Sequence, residues 1–176
     1  MSLVLHDREE LTTLSHWPDI RPIRPIKFPM NIEIDQSVKI EQTNRDTVIA
    51  FSNGITYAVI IPAEAKKQIK QRFRKDKGPH LFCYRTFAAG VALLVKNYLK
   101  DIDIIVIDRE YAGREKLIKN MILEMLKKMS NKQPEIYFKQ IGKKSEAHNV
   151  AYLTMKKKRK VDVILKLKEL QKLIFI

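Results

Sequence analysis

Residues 102–119 read IDIIVIDREYAGREKLIK, and the rest of the chain falls into place around them. Ile102, Ile104, Ile105, Val106 and Ile107 form a dense apolar run, the pattern of a strand buried on both faces. The run stops at Asp108, Arg109 and Glu110. Gly113 breaks the pattern, after which Leu117, Ile118, Met121, Ile122, Met125 and Leu126 recur at helical spacing. The unit is therefore strand, acidic turn, helix. In open α/β sheets ligands gather at the carboxyl ends of strands, which makes Asp108, Glu110 and Glu115 candidates for chemistry.

Composition narrows the classes. A chain of 176 residues suits one domain and can bury roughly 70% of its unfolded surface. With 45% hydrophobic and 31% charged residues it reads as folded and soluble rather than disordered or fibrous. The net charge of +14 favours an anionic partner. Nucleic acid suits it better than an acidic membrane, because the basic residues are spread over several segments. Cys83 is the single cysteine, so no internal disulfide can form and a reducing cytoplasm is the expected location. No apolar run approaches the ~20 residues of a membrane helix, so no membrane partner is expected.

Taken in order, residues 1–30 carry Pro18, Pro22, Pro25 and Pro29 and read as an extended arm anchored by residues such as Trp17. Residues 31–176 read as one α/β domain. Asn31 to Ile40 alternates like a half-buried strand. Val48 to Phe51 and Ile55 to Ile61 flank Ser52-Asn53-Gly54, and Asn-Gly between apolar runs predicts a hairpin with positive φ at both turn residues. A short basic helix follows from Ala63 to Phe73, then an apolar helix from Tyr84 to Leu99. After the organising unit come a strand from Glu135 to Ile141, a helix from Glu146 to Met155 with Ser145 as N-cap, and a basic amphipathic C-terminal helix carrying Ile164, Leu167, Leu170 and Ile174.

Two like charges at Asp108 and Glu110, ~6 Å apart on an extended strand, repel by on the order of 3 kcal/mol at an effective dielectric of 20. Something cationic belongs there. Mg²⁺ or Mn²⁺ fits, because hard cations take oxygen ligands. The competing reading is that Arg109, Arg114 or a lysine compensates, with Glu115 pairing Lys119 along the helix. His148 suits a general acid or metal ligand, or else a polar residue on a half-exposed helix. The basic candidates for phosphate are Lys66 and Lys70, Lys143 and Lys144 ahead of a helix N-terminus, and Lys157 and Arg159; the bland alternative is a solvated face. Five phosphate contacts would give a log–log salt slope of roughly −4.5. Tyr84, Tyr111 and Tyr137 are candidates for base stacking or for core. No phosphate-binding glycine loop, nucleophile elbow or dinucleotide fingerprint is present.

The order of elements, three antiparallel strands, helical material, an acid-tipped strand, helix, strand and helix, resembles the ribonuclease H-like superfamily over residues 31 to about 157. Ile107-Asp108-Arg109-Glu110-Tyr111 and Ile141-Gly142-Lys143-Lys144-Ser145-Glu146-Ala147-His148 also resemble an uncharacterised archaeal and bacterial family of that fold. The resemblance implies a mixed sheet, with antiparallel and parallel strands, flanked by helices. It implies that Asp35 is the first-strand acid and Asp108 the fourth-strand acid, sharing a metal, with Glu64 or Glu115 as the helical acid and Glu146 or His148 on the last helix. The implied activity is a divalent-metal-dependent nuclease using Asp35, Asp108, Glu110, Glu115 and His148, with Asp35, Asp108 and Glu110 as metal ligands. The alternative on the same fold is a non-catalytic nucleic-acid-binding or assembly module.

Overall fold

The computed structural model describes residues 30–76 and 78–175. The expected N-terminal arm, apart from Met30, lies outside the described residues. Six strands form one mixed sheet in the order β5-β4-β1-β2-β3-β6. The strands are β1 (Met30–Ser37), β2 (Thr47–Ser52), β3 (Thr56–Ile61), β4 (Ile102–Asp108), β5 (Glu135–Lys139) and β6 (Val163–Ile164). β1, β2 and β3 run antiparallel in succession, whereas β4 lies parallel to β1, β5 parallel to β4, and β6 parallel to β3. The helices are α1 (Ala63–Lys75), α2 (Phe82–Val95), α3 (Glu115–Lys127), α4 (Glu146–Met155) and α5 (Leu167–Ile174).

Strand alternation divides the helices between the two faces of the sheet. Ile32 and Ile34 of β1, Ile49 and Phe51 of β2, Val59 and Ile61 of β3, and Ile105 and Ile107 of β4 share one core with α1, α2, α3 and α5. Their neighbours in sequence point to the opposite face. There Val48, Ala50 and Ala58 pack against Val150 and Ala151 of α4. On the larger face, Gly90 admits the sheet: a Cβ there would come within 2.6 Å of Ile49 Cδ1 and 2.8 Å of Ile61 Cδ1.

Several expectations are corrected. The strand buried along its whole length is β2, between α2 and α4, whereas β4 buries Ile102, Ile105 and Ile107 and leaves Asp103, Ile104, Val106 and Asp108 half-buried. The reason is that α4 packs on β1, β2 and β3, and among the described residues no helix packs comparably on that side of β4. The first strand ends at Ser37 rather than Ile40, because Val38 adopts φ +69° and turns the chain. The hairpin loop is three residues, Asn53 to Ile55, with positive φ at Gly54 alone and the Asn53 N–H donating to Ile55 O. β5 stops at Lys139, and Ile164, assigned to the last helix, is instead an exposed residue of β6.

Candidate metal centre

β1 and β4 are adjacent and parallel, with Ile34 opposite Ile107. The next residue on each is an acid, so Asp35 and Asp108 leave neighbouring strand ends on the α4 face. Glu110 follows immediately, in a tight turn where its N–H donates to Asp108 O at 2.9 Å. Ligand oxygens of Asp35, Asp108 and Glu110 lie within 4.8 Å of one another. At an effective dielectric of 20, each such pair repels by about 3.5 kcal/mol.

Each acid is held by a different partner. Asp35 is 4% exposed; Oδ1 accepts the Gln36 N–H at 2.7 Å, and Oδ2 lies 2.7 Å from His148 Nδ1. Burial raises its pKa, and the Asp108 charge adds to the rise, against the lowering effect of the His148 and Gln36 bonds. Asp108 Oδ1 accepts the Ile141 N–H at 2.7 Å, which moors the β5–α4 loop to the end of β4. Glu110 lies 3.5 Å from Lys39 Nζ. Burial raises its pKa too, opposed by Lys39 and reinforced by the other two acids.

The supporting shell explains why Glu110 stays in place. Tyr111 packs its ring against Tyr84 and Phe87, and its hydroxyl meets Gln36 and Glu41, so the residue after Glu110 is stapled to the end of β1. Burial pushes the Tyr111 phenol up. Tyr84 and Tyr111 are thus core aromatics rather than stacking platforms, while Tyr137 is exposed on β5. The β1–β2 loop is fastened by Lys66, whose Nζ donates to Gln42 O at 2.8 Å, Thr47 Oγ1 at 2.7 Å and Lys39 O at 3.5 Å. Lys66 was expected on the basic surface. Its side chain is fully buried, burial pushes its pKa down to about 8, and it has no access to a phosphate.

Of the two α4 candidates, His148 reaches the acids, whereas Glu146 accepts the Ser52 hydroxyl. Ser145 holds the N-cap position, yet its hydroxyl donates to Glu33 Oε2 at 2.9 Å and leaves the helix end uncapped by a side chain. Glu115 sits in the first turn of α3, 3.4 Å from Arg109, and is not among the clustered acids. Glu64 is an exposed residue of α1, with Lys67 at 3.9 Å. Lys70 is half-buried, its ammonium 5.9 Å from the Phe82 ring centroid. Arg159 pairs with Asp162 at 3.0 Å and donates to Thr56 O, a structural tie between β3 and the segment before β6. Lys143, Lys144 and Lys157 are exposed. An open cleft of about 320 Å³ lies beside Glu110, lined in part by Gln36, Lys39, Gln42, Arg45 and Met155.

Three carboxylates and an imidazole suit a hard divalent cation. With Asp35 ionised, His148 Nδ1 is the donor to it, which in the neutral ring leaves Nε2 as the acceptor nitrogen. Charge alone gives no means of finding the Lys66 anchor, but the spacing of Lys66, Ile69 and Phe73, all buried, is that of an inward helix stripe. No family model, curated protein or solved structure matches this chain.

Proposed function

We propose that this chain is a ribonuclease H-like nucleic-acid-binding protein that hydrolyses phosphodiester bonds with Mg²⁺ or Mn²⁺. The observation that carries the reading is the convergence of Asp35, Asp108 and Glu110 within 4.8 Å, with His148 bonded to Asp35, at the ends of two adjacent parallel strands. Three antiparallel strands followed by parallel strands beside the first support the same resemblance. A divalent ion held by Asp35, Asp108 and Glu110 would supply Lewis-acid activation of a phosphoryl oxygen and of water.

The chain's own groups divide the remaining work. Asp108 keeps Oδ1 on the Ile141 N–H, which fixes the carboxylate at the end of β4, and Lys39 holds Glu110 against the charge of its neighbours. His148 presents Nε2 to take a proton from water or to return one to the leaving oxygen, while the Asp35 bond stabilises the imidazolium. Lys143 and Lys144, on the loop moored by Asp108, meet the polyanion.

A second reading, a binding module without catalysis, is favoured by one observation: neither helical glutamate, Glu64 nor Glu115, joins the acid cluster. The two separate in one assay. Labelled single-stranded, duplex and hybrid RNA and DNA are incubated with the protein in Mn²⁺ and in EDTA, beside Asp108→Asn. Cleavage that needs metal and disappears in Asp108→Asn supports the nuclease. Salt-sensitive binding without cleavage leaves the module, and absence of binding refutes both.

A further inference from the structure

We propose that Tyr152 is the stacking platform for an unpaired base beside the candidate metal centre, and that the ligand of this site is therefore single-stranded nucleic acid. The inference rests on the nucleic-acid reading above and adds the strandedness of the ligand and the residue that selects it.

α4 carries the argument. His148 and Tyr152 of α4 and its C-cap residue Lys156 are spaced four residues apart, so they lie one above another along one face, each about 6 Å further along the helix axis than the last. The stripe begins at the acids: His148 Nδ1 is 2.7 Å from Asp35 Oδ2. One turn on, the Tyr152 ring lies nearly parallel to the imidazole, at 8° and 6.5 Å between centroids. It is 45% exposed, where a solvent-facing helix position ordinarily carries a polar residue. One further turn on, Lys156 Nζ lies 5.7 Å from the Tyr152 centroid.

Chemistry selects the occupant. A ring that already accepts an imidazole and an ammonium attracts flat, polarisable or cationic groups, and every nucleobase offers such a face. Charge selects a polyanion: from Ala147 to Val161 the chain has five basic residues and no acidic one, and Lys156, Lys157 and Lys158 are all exposed. Lys156 is a flexible, exposed chain, so a base arriving on Tyr152 displaces its ammonium from the ring towards the adjoining phosphate. A paired base inside a duplex has both faces covered by its neighbours, so only an unpaired or terminal base can take the position. The stripe thus seats a base next to the phosphate that His148 and the acids would address.

The test measures binding in EDTA, without cleavage, by fluorescence anisotropy of labelled RNA and DNA oligonucleotides of roughly 12 nucleotides. Single strands, matching blunt duplexes and abasic single strands of the same length are compared on wild type, Tyr152→Phe and Tyr152→Ala. We expect Tyr152→Ala to weaken single-strand binding by roughly tenfold or more, the loss of one stacked base. Tyr152→Phe should bind as wild type does, and the abasic strand should bind equally to all three proteins. Single-strand binding indifferent to Tyr152→Ala overturns the platform while leaving the nucleic-acid reading intact. An equal loss on duplex, or on abasic strands, also overturns it, since charge alone would then explain the effect. No binding of any probe by wild type overturns both.

Discussion

Asp108→Asn should reverse sign between metal-free and metal-bound protein. Without metal, Asp108 stands within 4.8 Å of two other carboxylates, and its removal eliminates two of the three pairwise repulsions, each about 3.5 kcal/mol at an effective dielectric of 20. Proton uptake by Asp35 and Glu110, whose pKa values burial already raises, and the Lys39 ammonium offset most of that sum. Asparagine retains an oxygen for the Ile141 N–H, so the loop anchor survives. A net gain of about 1 kcal/mol is expected, or ~2–4 °C in Tm for a domain of this size. The sign follows from linkage: a carboxyl whose pKa is raised by folding favours the fold below its unfolded value, and that contribution is lost as pH rises through the folded value. The charged form of the cluster is therefore the costly one. With Mn²⁺ at a hundred times its dissociation constant, wild type should gain about 2.7 kcal/mol, a rise of ~5–10 °C. The variant, lacking one ligand, should gain little. Differential scanning fluorimetry in EDTA and in Mn²⁺ reads both arms. A variant less stable than wild type in EDTA, or as responsive to Mn²⁺ as wild type, would refute the charge-cluster reasoning.

Gly90→Ala should lower stability by ~1–3 kcal/mol, because the added methyl meets Ile49 and Ile61, both fully buried; chemical denaturation with an unchanged m-value checks it. Lys66→Met should cost ~1–3 kcal/mol by leaving Gln42 O and Thr47 Oγ1 unsatisfied. Its pH dependence has a definite sign. Folding pushes Lys66 down to about 8 from 10.5, so the unfolded chain holds more protons in between, and the advantage of wild type over Lys66→Met should widen as pH rises through that window. An advantage that shrinks there would sink the assignment. Lys143→Glu with Lys144→Glu should weaken single-strand binding and flatten the log–log salt slope by roughly 0.7 for each phosphate no longer neutralised, leaving the metal-induced rise in Tm in place.

Much of this architecture was legible in the chain, and the reasons differ by element. β4 and α3 stood out because a run of branched apolar residues and a clean helical period are separated by acids and a glycine. Asp108 and Glu110 came with them. Asp35 could be paired with Asp108 only through the order of the strands, and His148 reaches it across 113 positions, a contact no local pattern encodes. β6 has two residues, too few for a period, and depends on Asp162 and Leu165 bonding to β3. The double burial assigned to β4 belongs to β2, because which strand a helix covers is a tertiary property. Tyr152 had a local signal, its four-residue spacing from His148, which is invisible when each tyrosine is weighed by itself.

Lys66 grips the β1–β2 loop mostly by carbonyl oxygens, those of Lys39 and Gln42, with Thr47 as the one side-chain partner. Main-chain anchors are indifferent to what the loop residues carry. The side chains of Gln42 and Arg45, which line the cleft beside Glu110, can therefore be exchanged while the backbone path is kept and Lys39 stays paired with Glu110. That makes the loop a natural place to graft new selectivity: a fixed frame whose displayed chemistry is free to vary.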